Sequence, residues 1–246
     1  AAYGLTYKRI GVYVYLLLSV LGLITTFIKI LKVKSNHFLF RVNGWLFYGV
    51  LIIACFFQWD IIITDYNIHV PAQIEKTYLV RLSDKTLPQL IAMESNPTMT
   101  KKVFVNEAYA SMDTRYDVDV EAPASCYEQE LSRKLFRFME TCNEAAWQSW
   151  YYKQYETIQA LQNLNESGMI KNIDLTASRI HSLAPLRKFN QITSFKLIGN
   201  QINMSELSYF PALKKLEIQN NSLKSLEGIH ALPQLEYLDI SINPID

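Results

Sequence analysis

The chain is poor in the residues on which most protein chemistry depends. Cysteine occurs three times in 246 residues, at Cys55, Cys126 and Cys142, too few for a disulfide framework. If Cys126 and Cys142 share one helix, 16 positions at about 1.5 Å each hold them ~24 Å apart, too far to bridge. The four histidines, His37, His69, His181 and His230, stand at no metal-ligand spacing from one another or from a cysteine. Only eight glycines are present, with no Gly-x-Ser-x-Gly elbow and no glycine loop to cradle a phosphate. Net charge is +1, without a basic stripe for nucleic acid. The reading is therefore a protein without catalytic, cofactor-binding or metal-binding residues, and not an enzyme. Paired carboxylates meet only in space, and nothing in the sequence singles out a pair.

What the chain does have is repetition. Ile170, Ile192, Leu213 and Leu235 each open a unit of the form L-x-x-L-x-L-x-x-N-x-L, at spacings of 22, 21 and 22 residues. This is the leucine-rich repeat pattern. The alternation suits a short strand with one buried face, and apolar residues about every third position, such as Leu223, Leu226, Ile229 and Leu232, turn the return stretch inward. No unit can bury its apolar face alone, so the units must stack into a solenoid of about four coils. Asn200, Asn221 and Asn243 stand where each strand turns, and a buried amide there satisfies backbone groups. Ser178 replaces the asparagine in the first unit, which marks that unit as atypical.

The positions between the buried ones form an exposed, concave face: Asn172, Asp174 and Thr176; Ser194, Lys196 and Ile198; Lys215, Glu217 and Gln219; Tyr237, Asp239 and Ser241. Mixed charge with one aromatic is the character of a protein- or peptide-binding surface. The repeats stop at Ile245-Asp246 without a polar cap, so the expectation is an array that continues or an end that something covers. The start, Ala-Ala-Tyr without an initiator Met, likewise points to a piece of a longer protein.

Apolar content is concentrated near the N-terminus. Ile10 to Ile28 carries no charged side chain over 19 residues, enough to cross a bilayer's hydrocarbon core. A second run, Gly44 to Ile63, is flanked by Trp45, Tyr48 and Trp59, which suit membrane interfaces. Transmembrane helices are expected over about 10–31 and 44–63, with Asp60 at the water boundary. The loop between them carries Lys29, Lys32, Lys34 and Arg41. Positive charge resists translocation, which places this loop in the cytoplasm and residues 67–246 outside it.

The remaining expectations concern the middle of the chain. Asn67 to Ala92 has the periodicity of an amphipathic helix through Ile74, Tyr78, Leu79 and Leu82. Asp117-Val118-Asp119-Val120-Glu121 lacks the glycine and distal glutamate of an EF-hand loop and reads as a solvated strand edge or loop. Cys126 to about Asn165 reads as one long helical segment or two, with Leu131, Leu135, Phe138, Met139, Cys142, Ala146 and Trp150 on one stripe. An aromatic patch, Trp147, Trp150, Tyr151, Tyr152 and Tyr155, reads as packing.

Three short motifs carry a resemblance: Tyr3-Gly4-Leu5-Thr6 with Arg9; Asn67-Ile68 followed by Tyr78-Leu79, Leu82-Ser83-Asp84 and Leu87-Pro88-Gln89-Leu90; and Leu135-Phe136-Arg137-Phe138 followed by Trp147-Gln148-Ser149-Trp150. Together they resemble the C-terminal part of a bacterial family of multi-spanning membrane proteins known only as a domain of unknown function, over roughly residues 1–160. The third motif departs from that family, which continues with Asn where Tyr151 stands. The resemblance implies a membrane location and further spans upstream, and no chemistry. The repeats separately resemble the 22-residue class of bacterial internalin-like surface proteins, which implies protein or peptide binding.

The fold expected is mixed: a transmembrane hairpin (1–66), a mainly α-helical membrane-proximal region (67–166) and a C-terminal α/β leucine-rich repeat solenoid (167–246). The function expected is a protein-interaction module anchored in the bacterial inner membrane through residues 10–31 and 44–63. Its partner would be a protein or peptide, not nucleic acid, held on the concave face by Asp174, Thr176, Lys196, Ile198, Lys215, Glu217, Gln219, Tyr237, Asp239 and Ser241. The alternative is the regulatory tail of a larger membrane transporter, sensor or enzyme whose active part lies upstream.

Overall fold

The structure, a computed structural model, describes residues 4–70, 74–95, 103–104, 123–144 and 152–245. It divides into two compact units, Ala1–Gln73 and Ile74–Asp246.

The first unit is helical: α1 (Tyr7–Leu31), α2 (Asn36–Phe56) and α3 (Trp59–His69). Both long helices start on a hydroxyl cap, Thr6 accepting from the Arg9 N–H and Ser35 from the Phe38 N–H. Both are long and apolar enough to cross a membrane. Leu23, Phe27, Trp45, Ile52 and Ile53 leave more than half of their surface uncovered. α1 packs against α2, and polar bonds join them from Thr25 Oγ1 to Asn43 Oδ1 at 2.6 Å and from Lys29 Nζ to Asn36 Oδ1.

The second apolar run is not the single helix expected over 44–63. Helix begins eight residues earlier, at Asn36, and stops at Phe56, where Phe57 turns extended with ψ of 137°. A separate helix starts at Trp59. The indole of Trp59 donates to the Ala54 carbonyl at 2.8 Å, satisfying one of the acceptors that a helix end leaves free. Asp60 lies in the first turn of α3 and accepts from the Tyr7 hydroxyl at 2.5 Å.

Two of the sequence motifs meet here. The buried Asn67 side chain pairs with both backbone groups of Leu5: Nδ2 donates to the carbonyl at 2.8 Å and Oδ1 accepts from the N–H at 2.6 Å. A Cβ on Gly4 would lie 2.3 Å from Asn67 Oδ1, so only glycine allows this approach. The Arg9 guanidinium donates to the Gly4 carbonyl.

The second unit opens with β1 (Ile74–Glu75), α4 (Lys76–Val80), a 3-10 turn (Asp84–Thr86) and α5 (Leu87–Glu94); β2 (Val103–Phe104) pairs with β1 in parallel. The helix expected over Asn67 to Ala92 is thus three helices and a turn. Pro71, which has no N–H, follows the end of α3, and Thr86 Oγ1 bonds back to the Ser83 carbonyl at 2.9 Å to hold the turn. The helical segment around Cys126–Asn165 is two helices, α6 (Pro123–Glu144) and α7 (Tyr152–Glu166). Leu131, Leu135, Phe136, Phe138 and Met139 form the buried side of α6. Lys134 reaches from α6 to the carbonyls of Val80, at 2.8 Å, Leu82, and Ser83, at 3.1 Å. Cys126 and Cys142 both fall on α6, and Cys142 is a free thiol. Asp117 to Glu121, Ala146 of the predicted stripe and the aromatics Trp147, Trp150 and Tyr151 lie outside the described residues. α7 is followed by a turn at Ser167-Gly168, where the Gly168 φ of +68° suits glycine.

Four parallel strands follow, one per repeat, in the order β3 (Asn172–Asp174), β4 (Ser194–Lys196), β5 (Lys215–Glu217) and β6 (Tyr237–Asp239). Their register aligns Ile173, Phe195, Leu216 and Leu238. The first three are buried, as are Leu175, Leu197 and Ile218 two residues on. Phe195 meets Phe210 of the return stretch edge-on at 4.8 Å.

The turn asparagines bridge neighbouring repeats. Asn200 donates to the carbonyls of Leu175 and Leu197 and accepts from the Ile180 N–H. Asn221 donates to Leu197 and Gln219 and accepts from Ile202. Asn243 donates to Ile218 and Ile240 and accepts from Asn221 and Leu223. Asn200 and Asn221 are buried, Asn243 less so. Replacing Asn221 by Ala strands several buried backbone groups. It should destabilise the second unit by ~2–4 kcal/mol, given ~1–3 kcal/mol for each buried group left unpaired. Asn243→Ala should cost less. Chemical denaturation in detergent, followed by circular dichroism, measures both.

Candidate partner-binding face

Strand alternation sends two rows of side chains to the side opposite the buried Ile173–Phe195–Leu216 row. In register these are Asn172, Ser194, Lys215 and Tyr237, then Asp174, Lys196, Glu217 and Asp239. A third row, Thr176, Ile198, Gln219 and Ser241, lies where the strands turn.

The middle of this face is a charge network. Glu217 lies between two ammonium groups, 2.6 Å from Lys215 and 3.9 Å from Lys196. Lys215 in turn sits over the Tyr237 ring, 5.2 Å from its centroid. The hydrogen bond to Glu217, and then its charge, hold the Lys215 ammonium above the usual lysine range.

Other residues of the face are engaged internally. Asp174 accepts from the Thr176 N–H at 2.9 Å, and Asp239 accepts from the Ser241 N–H at 3.1 Å, the same turn in the first and last units. Gln219 donates to Asp239 at 2.6 Å. These bonds, the Ser241 backbone first, hold the Asp239 carboxyl below the usual aspartate range. The Thr176 carbonyl accepts from Gln129 and Arg133 of α6, and Ile198 is half-buried with its carbonyl taken by the Ala177 N–H. Of the residues singled out from the sequence, Lys196, Lys215, Glu217 and Tyr237 therefore form one connected outward cluster. Asp174, Thr176, Ile198, Gln219, Asp239 and Ser241 serve turns and neighbours.

The face continues into an open groove of about 850 Å³. Asn172, Asp174, Lys196, Lys215 and Glu217 line it from the strands, Glu94 from α5, and Glu128 and Ser132 from α6. The two glutamates lie far from the repeats in sequence, and no repeat pattern points to them. Glu94 pairs with the buried Lys76 at 2.8 Å, and Lys76 sits 4.6 Å from the Tyr127 ring centroid. Loss of solvent, then the charge of Glu94, pushes the Glu128 carboxyl up. Burial, then Glu94 and Glu128, keeps the Tyr127 phenol protonated well above its usual range. Among the described residues no three His, Cys, Asp or Glu side chains gather closely enough to hold a metal ion.

A row of parallel strands, one per 21- to 22-residue unit, with asparagines at the turns, is the arrangement of leucine-rich repeats. A leucine-rich repeat family model (two copies) matches residues 211–246. A model described as a domain of unknown function, DUF4153, matches residues 1–93. That match takes in the first two motifs of the resemblance and ends before the third, at residues 135–150. No curated protein and no solved structure matches the chain.

The two perturbed carboxylates should titrate with opposite signs. Asp239, held low, stabilises the fold above the ordinary aspartate range, and that stability is lost as pH falls through its depressed value. Glu128, held high, costs stability as pH rises from the ordinary glutamate range through its raised value. Thermal midpoints should therefore fall in Asp239→Asn at pH 7 and rise in Glu128→Gln at pH 7, and both differences should shrink toward pH 3.

Proposed function

We propose that the repeats bind a protein or peptide on their outer, concave strand face, and that residues 7–31 and 36–56 anchor the chain in a bilayer. The observation that carries this reading is the groove beside the strands. It presents acidic groups at Glu94 and Glu128 next to the Lys196–Glu217–Lys215–Tyr237 cluster, while the opposite face of the strands is closed by packing. Leucine-rich repeats commonly mediate protein–protein interactions, and stacked repeats present an extended surface for a chain-like partner. In this reading the repeats continue as a solenoid of about four coils, the chain is not an enzyme and takes no cofactor, and nucleic acid is not a partner. The bilayer is a bacterial inner membrane. Lys29, Lys32, Lys34 and Arg41 hold the interhelical loop in the cytoplasm, and the repeats lie on the other side.

One experiment tests partner face and orientation together. In a chain without its native cysteines, Asn172→Cys places a thiol in the groove, and Ser208→Cys places one on the return stretch. Whole cells are treated with a membrane-impermeant, photoactivatable thiol reagent. The expected result is labelling of both thiols without opening the inner membrane, and a discrete cross-linked protein from Asn172→Cys alone. Equal cross-linking from both positions would contradict the groove. Labelling only after the inner membrane is opened would contradict the orientation.

A further inference from the structure

A second cavity, of about 380 Å³, lies between α6 and the first repeat. It shares no lining residue with the groove. The groove takes Glu128, Leu131, Ser132 and Leu135 from α6, whereas this pocket takes Arg133, Phe136, Arg137 and Glu140. From the first repeat it takes Ser178, Arg179, His181 and Ser182, with Leu175, Ile180 and Pro185 as its apolar part. Three guanidiniums thus share one small cavity with a single carboxylate, Glu140. Among the described residues none of the three lies within ion-pair distance of an acidic group.

The three are held in different ways. Arg133 is fixed by the protein itself: Nε donates to Ser178 Oγ at 2.9 Å and Nη2 to the Thr176 carbonyl at 2.6 Å. Arg137 follows one helical turn later on α6 and is exposed. Arg179 is exposed and stands in a left-handed turn, with φ of +56°. Three like charges gathered with one carboxylate raise one another's energy, and a bound anion offsets that cost. The planar fork of arginine suits the paired oxygens of a phosphate or carboxylate. The Ser182 hydroxyl, which accepts from the Ala184 N–H at 3.1 Å, adds a donor that a phosphate, with more oxygens than a carboxylate, can use.

We propose that this pocket binds a phosphate group, with Arg137 and Arg179 as its ligands and Arg133 as the fixed base of the site. The apolar side, Phe136, Ile180 and Pro185, has room for a small organic portion attached to the phosphate. This assignment is independent of the partner-binding reading.

The test titrates inorganic phosphate and phenyl phosphate against the full chain in detergent, by calorimetry at low salt, with sulfate and chloride as competitors. Arg137→Gln with Arg179→Gln removes two guanidiniums that hold no side-chain bond among the described residues, and Arg187→Gln, exposed and outside the pocket, is the control. Binding should weaken roughly tenfold or more in the double variant, as expected for losing two charge-assisted contacts, and stay unchanged in Arg187→Gln. Tighter binding of phenyl phosphate identifies an organic phosphate as the ligand, and equal binding identifies the free ion. Binding that survives in the double variant overturns the assignment, as does chloride competing as well as phosphate, or no heat with either probe in the wild-type chain. Circular dichroism of the double variant separates lost binding from lost fold.

Discussion

A parallel strand ladder has two edges, and here a helix closes the first of them. The N–H of Asp174 donates to Ser132 Oγ at 3.1 Å, and the Thr176 carbonyl accepts from Gln129 Nε2 at 2.7 Å and Arg133 Nη2 at 2.6 Å. An uncovered edge would present these backbone groups to solvent or to another chain. α6 supplies from side chains what a preceding strand would supply from its backbone. Because those bonds fix α6 along β3, they also set Glu128 beside the groove and Arg137 beside the pocket. On its other side α6 holds α4 through Lys134. The helical region and the repeats of the second unit are therefore joined by hydrogen bonds at named atoms as well as by apolar packing.

This explains why the first repeat differs from the others. Asn200, Asn221 and Asn243 each reach back to the carbonyls of the repeat before. The first repeat has none before it, and Ser178 at its turn instead accepts from Arg133. A side chain that reaches backward would have nothing to reach. Each turn also holds a residue at positive φ at the same place, namely Ala177, Gly199, Asn220 and Ile242, and the first and third turns hold a second, Arg179 and Ser222. Glycine and asparagine tolerate that conformation readily, and β-branched Ile242 does not.

The strands and their buried rows were legible because a repeat writes the same physical requirement four times. The outer face was legible for the same reason, since strand alternation assigns a side to every residue. Glu94 and Glu128 were not, because they reach the groove through tertiary packing from helices with no period in common with the repeats. Gln129, Ser132 and Arg133 read as an ordinary polar helix face, and only the contact with β3 gives them a role. Hydropathy located the second apolar helix but not its end, since Phe57 is as apolar as its neighbours and the break depends on where the Trp59 indole finds an acceptor. The motif pairing Gly4-Leu5 with Asn67 was visible only as a resemblance. The structure supplies its reason, an amide that pairs with both backbone groups of one residue.

α6 thus acts as the first layer of the ladder. Amide hydrogen exchange on the full chain in detergent tests it most directly, comparing the native protein with the Arg133→Ala, Gln129→Ala double variant. Stacked repeats transmit stability between nearest neighbours. The double variant should therefore show faster exchange across residues 172–178 and protection near the native level across 215–223. Unchanged protection at 172–178 would contradict it, leaving α6 a helix that merely lies beside the repeats.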